Sequence, residues 1–162
     1  MMEIDRNRIY LRRATIADLE LLIEYRIIFL KETAAVLSFP DEIFLRQSLK
    51  DYLKVSLEDH SFLSWIAEYD QLPVGFSGMV FREQPGNIEI PQGKTAYILN
   101  MFTLKEFRKN GIASLLFEKL IEEAKQRNVD RIDLHATSDG EPVYRRFGFV
   151  EPHDKVLEYV IK

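Results

Sequence analysis

The chain has 162 residues (19.0 kDa), of which 46% are hydrophobic and 30% charged, the balance of a globular protein. One domain spanning residues 1–162 is expected, long enough to bury a core. A net charge of −4 argues against a broad basic face for nucleic acid, and the absence of cysteine excludes disulfides and thiolate chemistry.

No apolar run approaches the ~18 residues of a membrane span. The opening MMEIDRNRIY lacks the apolar centre of a signal peptide, so a cytoplasmic protein with no membrane partner is expected. In chain order, Ile9–Ala14 alternates as a first strand, and Thr15 with Asp18 resembles an N-cap with an acid three residues on. The helix it opens carries Leu19, Leu22, Ile23, Arg26, Ile27 and Leu30 along one stripe. After Ser38-Phe39-Pro40 a second helix is expected from Asp41 or Glu42 to about Glu58, with Ile43, Phe44, Leu49, Tyr52, Leu53 and Leu57 at helical spacing.

Ser61–Tyr69 and Val74–Arg82 read as an antiparallel hairpin turned at Tyr69-Asp70-Gln71-Leu72-Pro73. Gly75 and Gly78 in the second strand point to a bulge or a close backbone approach. Glu83–Lys94 is the longest irregular stretch. Ala96–Thr103 is an uncharged strand of the kind buried on both faces. A long amphipathic helix follows from near Gly111, with Ile112, Leu115, Leu116, Leu120 and Ala124 on its apolar side. Arg131–Ala136 is a fifth strand, Val143–Phe147 a short helix capped by Ser138 and Asp139, and Phe149–Val150 and Val156–Ile161 closing strands. This order gives an α/β fold with a central mixed sheet, a parallel crossover near Gly111 and helices on both faces.

The junction Arg108-Lys109-Asn110-Gly111-Ile112-Ala113 carries the first chemical signal. A helix start offers unpaired N–H groups and partial positive charge, worth about 0.3–1 kcal/mol to a phosphate at an exposed site. Arg108 and Lys109 add formal charge, and Gly111 lets backbone approach a ligand. A di- or polyphosphate fits; an ordinary strand–loop–helix connection with solvated basic residues fits the spacing equally. No P-loop run and no dinucleotide fingerprint is present.

Arg108-x-x-Gly111-x-Ala113 after a strand, Tyr144-Arg145-Arg146-Phe147-Gly148-Phe149, and one helix and one strand between them resemble the GNAT superfamily of acetyl-CoA-dependent N-acetyltransferases. The resemblance covers nearly the whole chain. It implies a mostly antiparallel sheet splayed at one parallel strand pair, with the pantetheine arm of the co-substrate acetyl-CoA in the gap. Met101, Phe102 and Thr103 would then offer main-chain partners. Arg108, Lys109, Asn110, Gly111, Ile112, Ala113 and Ser114 would hold the pyrophosphate, and Ser138 would touch the pantetheine or pyrophosphate.

Tyr144 resembles the family tyrosine near the CoA sulfur, and a phenol of reference pKa about 10 can protonate the departing thiolate. Asn100 would orient the amine or a water, and an N–H near Met101 would serve the oxyanion. No motif marks a base, for which Glu68, Glu83 and Glu89 are candidates, and no metal is implied. The acceptor, a small-molecule or peptide amine, would lie among the first two helices and the Glu83–Lys94 loop, lined by Tyr25, Phe29, Phe39, Phe44 and Tyr52. Similar proteins are often homodimers. A non-catalytic acyl-CoA-binding module and a site for another nucleotide are the alternatives.

Overall fold

The computed structural model describes residues 4–33 and 38–161. Strand β1 (Ile9–Arg13) leads through a 3-10 turn into helix α1 (Leu19–Thr33). The expected cap is present at its start: Thr15 Oγ1 accepts from Ala17 N, and Thr15 N donates to Asp18 Oδ2. Helix α2 runs Phe39–Glu58, opening two residues earlier than the sequence suggested. Ser38 Oγ caps Asp41 N, and Pro40 fits a first turn, where its missing N–H has no intrahelical acceptor to serve.

Strands β2 (Phe62–Tyr69) and β3 (Leu72–Glu83) meet at a two-residue turn, Asp70-Gln71, both in the left-handed region. Leu72 and Pro73, read as turn residues, belong to β3. Pro73 sits opposite Glu68 where the register shifts, so its missing N–H falls at an irregular point of the ladder. β4 (Lys94–Thr103), helix α3 (Ile112–Gln126), β5 (Arg131–Leu134) and the short helix α4 (Glu141–Arg146) complete the order.

The five-stranded sheet runs β1-β2-β3-β4-β5, antiparallel except for the parallel β4–β5 pair. Helices cover both faces, as expected. On one face Leu22, Ile23 and Ile27 of α1 and Leu53 of α2 pack with Phe62, Phe76 and Phe102. On the other, Phe117, Leu120 and Ala124 of α3 pack with Met79, Ala96, Ile98 and Tyr144. Burying such side chains contributes roughly 1.5–3 kcal/mol each, enough to seat both layers.

The closing strands are not formed. Phe149–Val150 and Val156–Ile161 lie outside any ladder, and Val156, Leu157, Tyr159, Val160 and Ile161 are exposed. Their alternation suits a strand, but pairing rather than propensity makes one. The fifth strand also ends earlier than expected, at Leu134, where its ladder with β4 stops.

Candidate active site

Two irregularities of β4 set the site. The β4–β5 ladder runs only from Thr95–Arg131 to Ile98–Leu134, while β4 continues to Thr103, so residues 99–103 face a gap. Across on β3, Phe76 pairs with Phe102 but Gly78 with Leu99, leaving Asn100 and Met101 opposite Ser77 alone. This β-bulge puts Asn100 at φ 59°, a left-handed conformation that asparagine tolerates better than most residues. The bulge expected from Gly75 and Gly78 is thus on the facing strand. A Cβ on Gly78 would lie 2.8 Å from the Phe62 ring, and one on Gly75 2.9 Å from Phe102 O.

Beyond the gap the chain turns into α3. Lys109 and Gly111 adopt φ 64° and 83°, on either side of Asn110, whose Nδ2 donates to Phe107 O and Arg108 O. The turn aims the N–H groups of Ile112, Ala113 and Ser114 along the helix axis, where no intrahelical carbonyl can receive them. Ile112 is buried and anchors the helix start, while Ala113 and Ser114 are half-buried.

The charges there differ from the sequence reading. Arg108 is committed to Glu32 and, through Nε at 2.8 Å, to Thr103 O. It clasps α1 to the end of β4, and it already occupies the Thr103 carbonyl. Arg6, which the sequence reading passed over, lies over Gly111: a Cβ there would come within 3.0 Å of its guanidinium. Its N-terminal position, far in sequence from the motif, gave no signal.

Met101 is half-buried and borders the α3 face, whereas Phe102 is a core ring, 5.9 Å from both Tyr25 and Phe76. Ser77 Oγ, opposite the bulge, is buried without a hydrogen-bond partner among the described residues. Asn100 is 8% exposed and its Oδ1 accepts from Arg26 of α1. Burial pushes the Arg26 guanidinium below its ordinary pKa.

Tyr144, only 9% exposed, stands on α4 with its ring 5.5 Å from Phe117 of α3. Burial raises its phenol pKa, which keeps the proton on the oxygen. Ser138 does not cap α4, whose N-cap is Gly140; Thr137 Oγ1 accepts from Gly140 N instead. Ser138 itself is exposed in the turn.

The candidate bases are placed away from the bulge. Glu83 pairs with Lys94 at the opposite end of β4, about 20 Å from Asn100 at ~3.3 Å per residue. The 84–93 loop lies at that same end, closed by Gln84 N on Gly93 O, Asn87 on Glu89 N and Ile90 N, and Asp130 on Gln92 N. Glu68 is held by Arg12 at 2.7 Å. On the α1 face His135 Nδ1 meets the Tyr97 hydroxyl, and Nε2 lies 4.0 Å from Glu158.

Of the expected lining aromatics, Tyr25 is core and bonded to Pro73 O, Phe39, Phe44 and Tyr52 are exposed, and Phe29 packs against the α1–α2 core. Two cavities, of about 480 and 420 Å³, lie elsewhere. One is lined by Arg13, Lys54 and His60, the other by Glu83, Lys94 and Arg127. Neither cavity includes a residue of the β4 stretch beyond the β5 ladder, and the chemistry points to that stretch. Among the described residues no cluster of His, Asp or Glu could hold a metal, and no helix is long and apolar enough to cross a membrane.

The acetyltransferase (GNAT) family model matches residues 25–149. A predicted acetyltransferase from Clostridium acetobutylicum, solved with acetyl-CoA, is 27% identical, with 93% of this chain and 96% of that one covered and a TM-score of 0.83. A GCN5-related N-acetyltransferase from Ralstonia eutropha JMP134 is also 27% identical, over 93% and 98% of the chains, with a TM-score of 0.82. The aminoglycoside N-acetyltransferase AAC(6')-Iy in complex with CoA shares the fold at 16% identity, over 95% of each chain, with a TM-score of 0.72. No curated protein sequence matches.

Proposed function

Because the chain belongs to the GNAT family of acetyltransferases, we propose that it moves the acetyl group of acetyl-CoA to a primary amine by direct attack within a ternary complex. One observation carries the reading: the edge of β4 left free by β5 leads, through a 3-10 turn at Lys105–Phe107, into the turn that opens α3. An extended pantetheine arm pairs with main-chain groups of Met101 and Phe102 as a further strand would. Its diphosphate then lies on the N–H groups of residues 111–114, near Lys109 and Arg6.

The amine lone pair attacks the thioester carbonyl carbon, and the oxyanion is met by main-chain N–H at the bulge, near Met101. As the intermediate collapses, the C–S bond breaks and the sulfur takes the proton of the Tyr144 hydroxyl. The amine's surplus proton leaves to water, and water returns the phenol's. Asn100 orients the amine or a water, its own Oδ1 being held by Arg26. A direct route suits a chain without cysteine, which has no thiol to carry the acyl group.

Calorimetry with CoA, ATP and NAD, followed by transfer assays on a panel of amines, tests this. CoA binding and acetylation of an amine are the expected results. Binding of ATP but not CoA would refute the reading, and CoA binding without transfer to any amine would indicate an acyl-CoA-binding module instead.

A further inference from the structure

Arg26 lies on the inward side of α1, beside Leu22, Ile23 and Ile27, where an ionised group costs several kcal/mol to desolvate unless it is paired. No carboxylate is in ion-pair range of it among the described residues. The acids of its own helix are engaged elsewhere: Glu20 with Lys50, Glu24 with Arg46, Glu32 with Arg108. Its partners are neutral, the Asn100 amide oxygen and the face of Phe29, 5.6 Å from the guanidinium carbon. Neither supplies a counter-charge, and a guanidinium has five N–H donors.

A second arginine extends the same wall. Arg82 of β3 stands 4.8 Å over the ring of Tyr97, again with no carboxylate in range among the described residues. Tyr97 and Asn100 are both on β4, so Arg26 and Arg82 stand on the α1 side of the sheet, where the carboxylate of Glu158 lies by His135 and Asp133 is held by Arg131.

We propose that the acceptor amine also bears a carboxylate, as a free amino acid does, and that Arg26 binds that carboxylate. The proposal rests on the acetyl-transfer reading and adds the substrate class to it. Asn100 opens the bulge, so an anion held on Arg26 stands next to the position assigned to the thioester carbonyl. A short spacer between carboxylate and amine then delivers the nitrogen to it. The planar fork of a guanidinium matches the two oxygens of a carboxylate, a fit that lysine does not reproduce.

The test compares free amino acids with their α-carboxamides as acceptors for the full-length protein, reading the ratio of kcat/KM within each pair. The wild type is expected to favour the carboxylate at least tenfold. Arg26→Gln is expected to cut that ratio by about 10- to 100-fold, as the loss of charge-assisted hydrogen bonds does, and Arg26→Lys by less. Arg46→Gln, which removes a cation from the outer surface, should leave the ratio intact.

A wild type that favours carboxamides, or acetylates only amines without a carboxylate, would overturn the proposal while leaving acetyl transfer standing. So would an Arg26→Gln protein whose ratio is unchanged, because a residue that only braces Asn100 affects both acceptors alike. Failure of the wild type to bind CoA in calorimetry would remove the acetyl-transfer reading and this proposal together.

Discussion

The two ends of the sheet are built differently. At β1–β2 the ladder runs without a break from Ile9–Tyr69 to Arg13–Trp65, and Arg12 ties β1 to Asp18 at 2.8 Å and to Glu68 at 2.7 Å. At β4–β5 the ladder is short, the neighbouring β3–β4 register slips, and Asn100, Lys109 and Gly111 take left-handed conformations. Regular pairing makes the first end a scaffold. The second leaves main-chain groups open where the fold could have closed them, which is where a ligand can use them.

Substitutions at the two ends should therefore separate turnover from stability. The largest effect is expected for Tyr144→Phe, which should lower kcat on the order of 100-fold while CoA affinity stays within about threefold. Steady-state kinetics and calorimetry on one preparation check this. Burial raises the phenol pKa, so any alkaline limb it causes should lie above the ordinary tyrosine range and vanish in the variant. A variant with unchanged turnover would remove Tyr144 from the mechanism.

Next is Gly111→Val. The φ of 83° disfavours a β-branched residue, and the new side chain would press on Arg6. A strained site of about 1–2 kcal/mol corresponds to CoA binding weakened roughly tenfold, read by calorimetry.

At the scaffold end Asp18→Asn should cost about 1–3 kcal/mol at pH 7, with CoA affinity unaltered in folded protein. The hydrogen bond from Arg12 lowers the Asp18 pKa in the folded state. Its contribution is therefore full above the ordinary carboxylate pKa and fades as pH falls through the folded value. The gap between wild type and variant in denaturant melts should close on acidification below about pH 4. A gap that widened would contradict the pairing. The smallest effect is expected for Phe44→Ser: the ring is exposed, so acceptor KM should stay within about twofold.

The same contrast explains what the sequence disclosed. Apolar spacing revealed both helical layers and the hairpin, because burial imposes those periods directly on Leu22, Ile23, Phe117 and Leu120. The bulge was announced only indirectly, by two glycines on the strand facing it. The Arg108 clasp, Arg6 over Gly111 and the Arg26–Asn100 contact join residues far apart in the chain, and no local pattern encodes them. Arg26 did leave a trace, as a charge within an apolar stripe. The closing strands failed for the opposite reason: alternation is local, and the partner edge is not.

Hydrogen exchange with and without CoA tests the account most directly. Slowed exchange confined to peptides covering residues 99–103 and 108–115 is the expected result, since those amides would pair with the pantetheine arm and the diphosphate. Protection around Arg13, Lys54 and His60, with none at the start of α3, would contradict it.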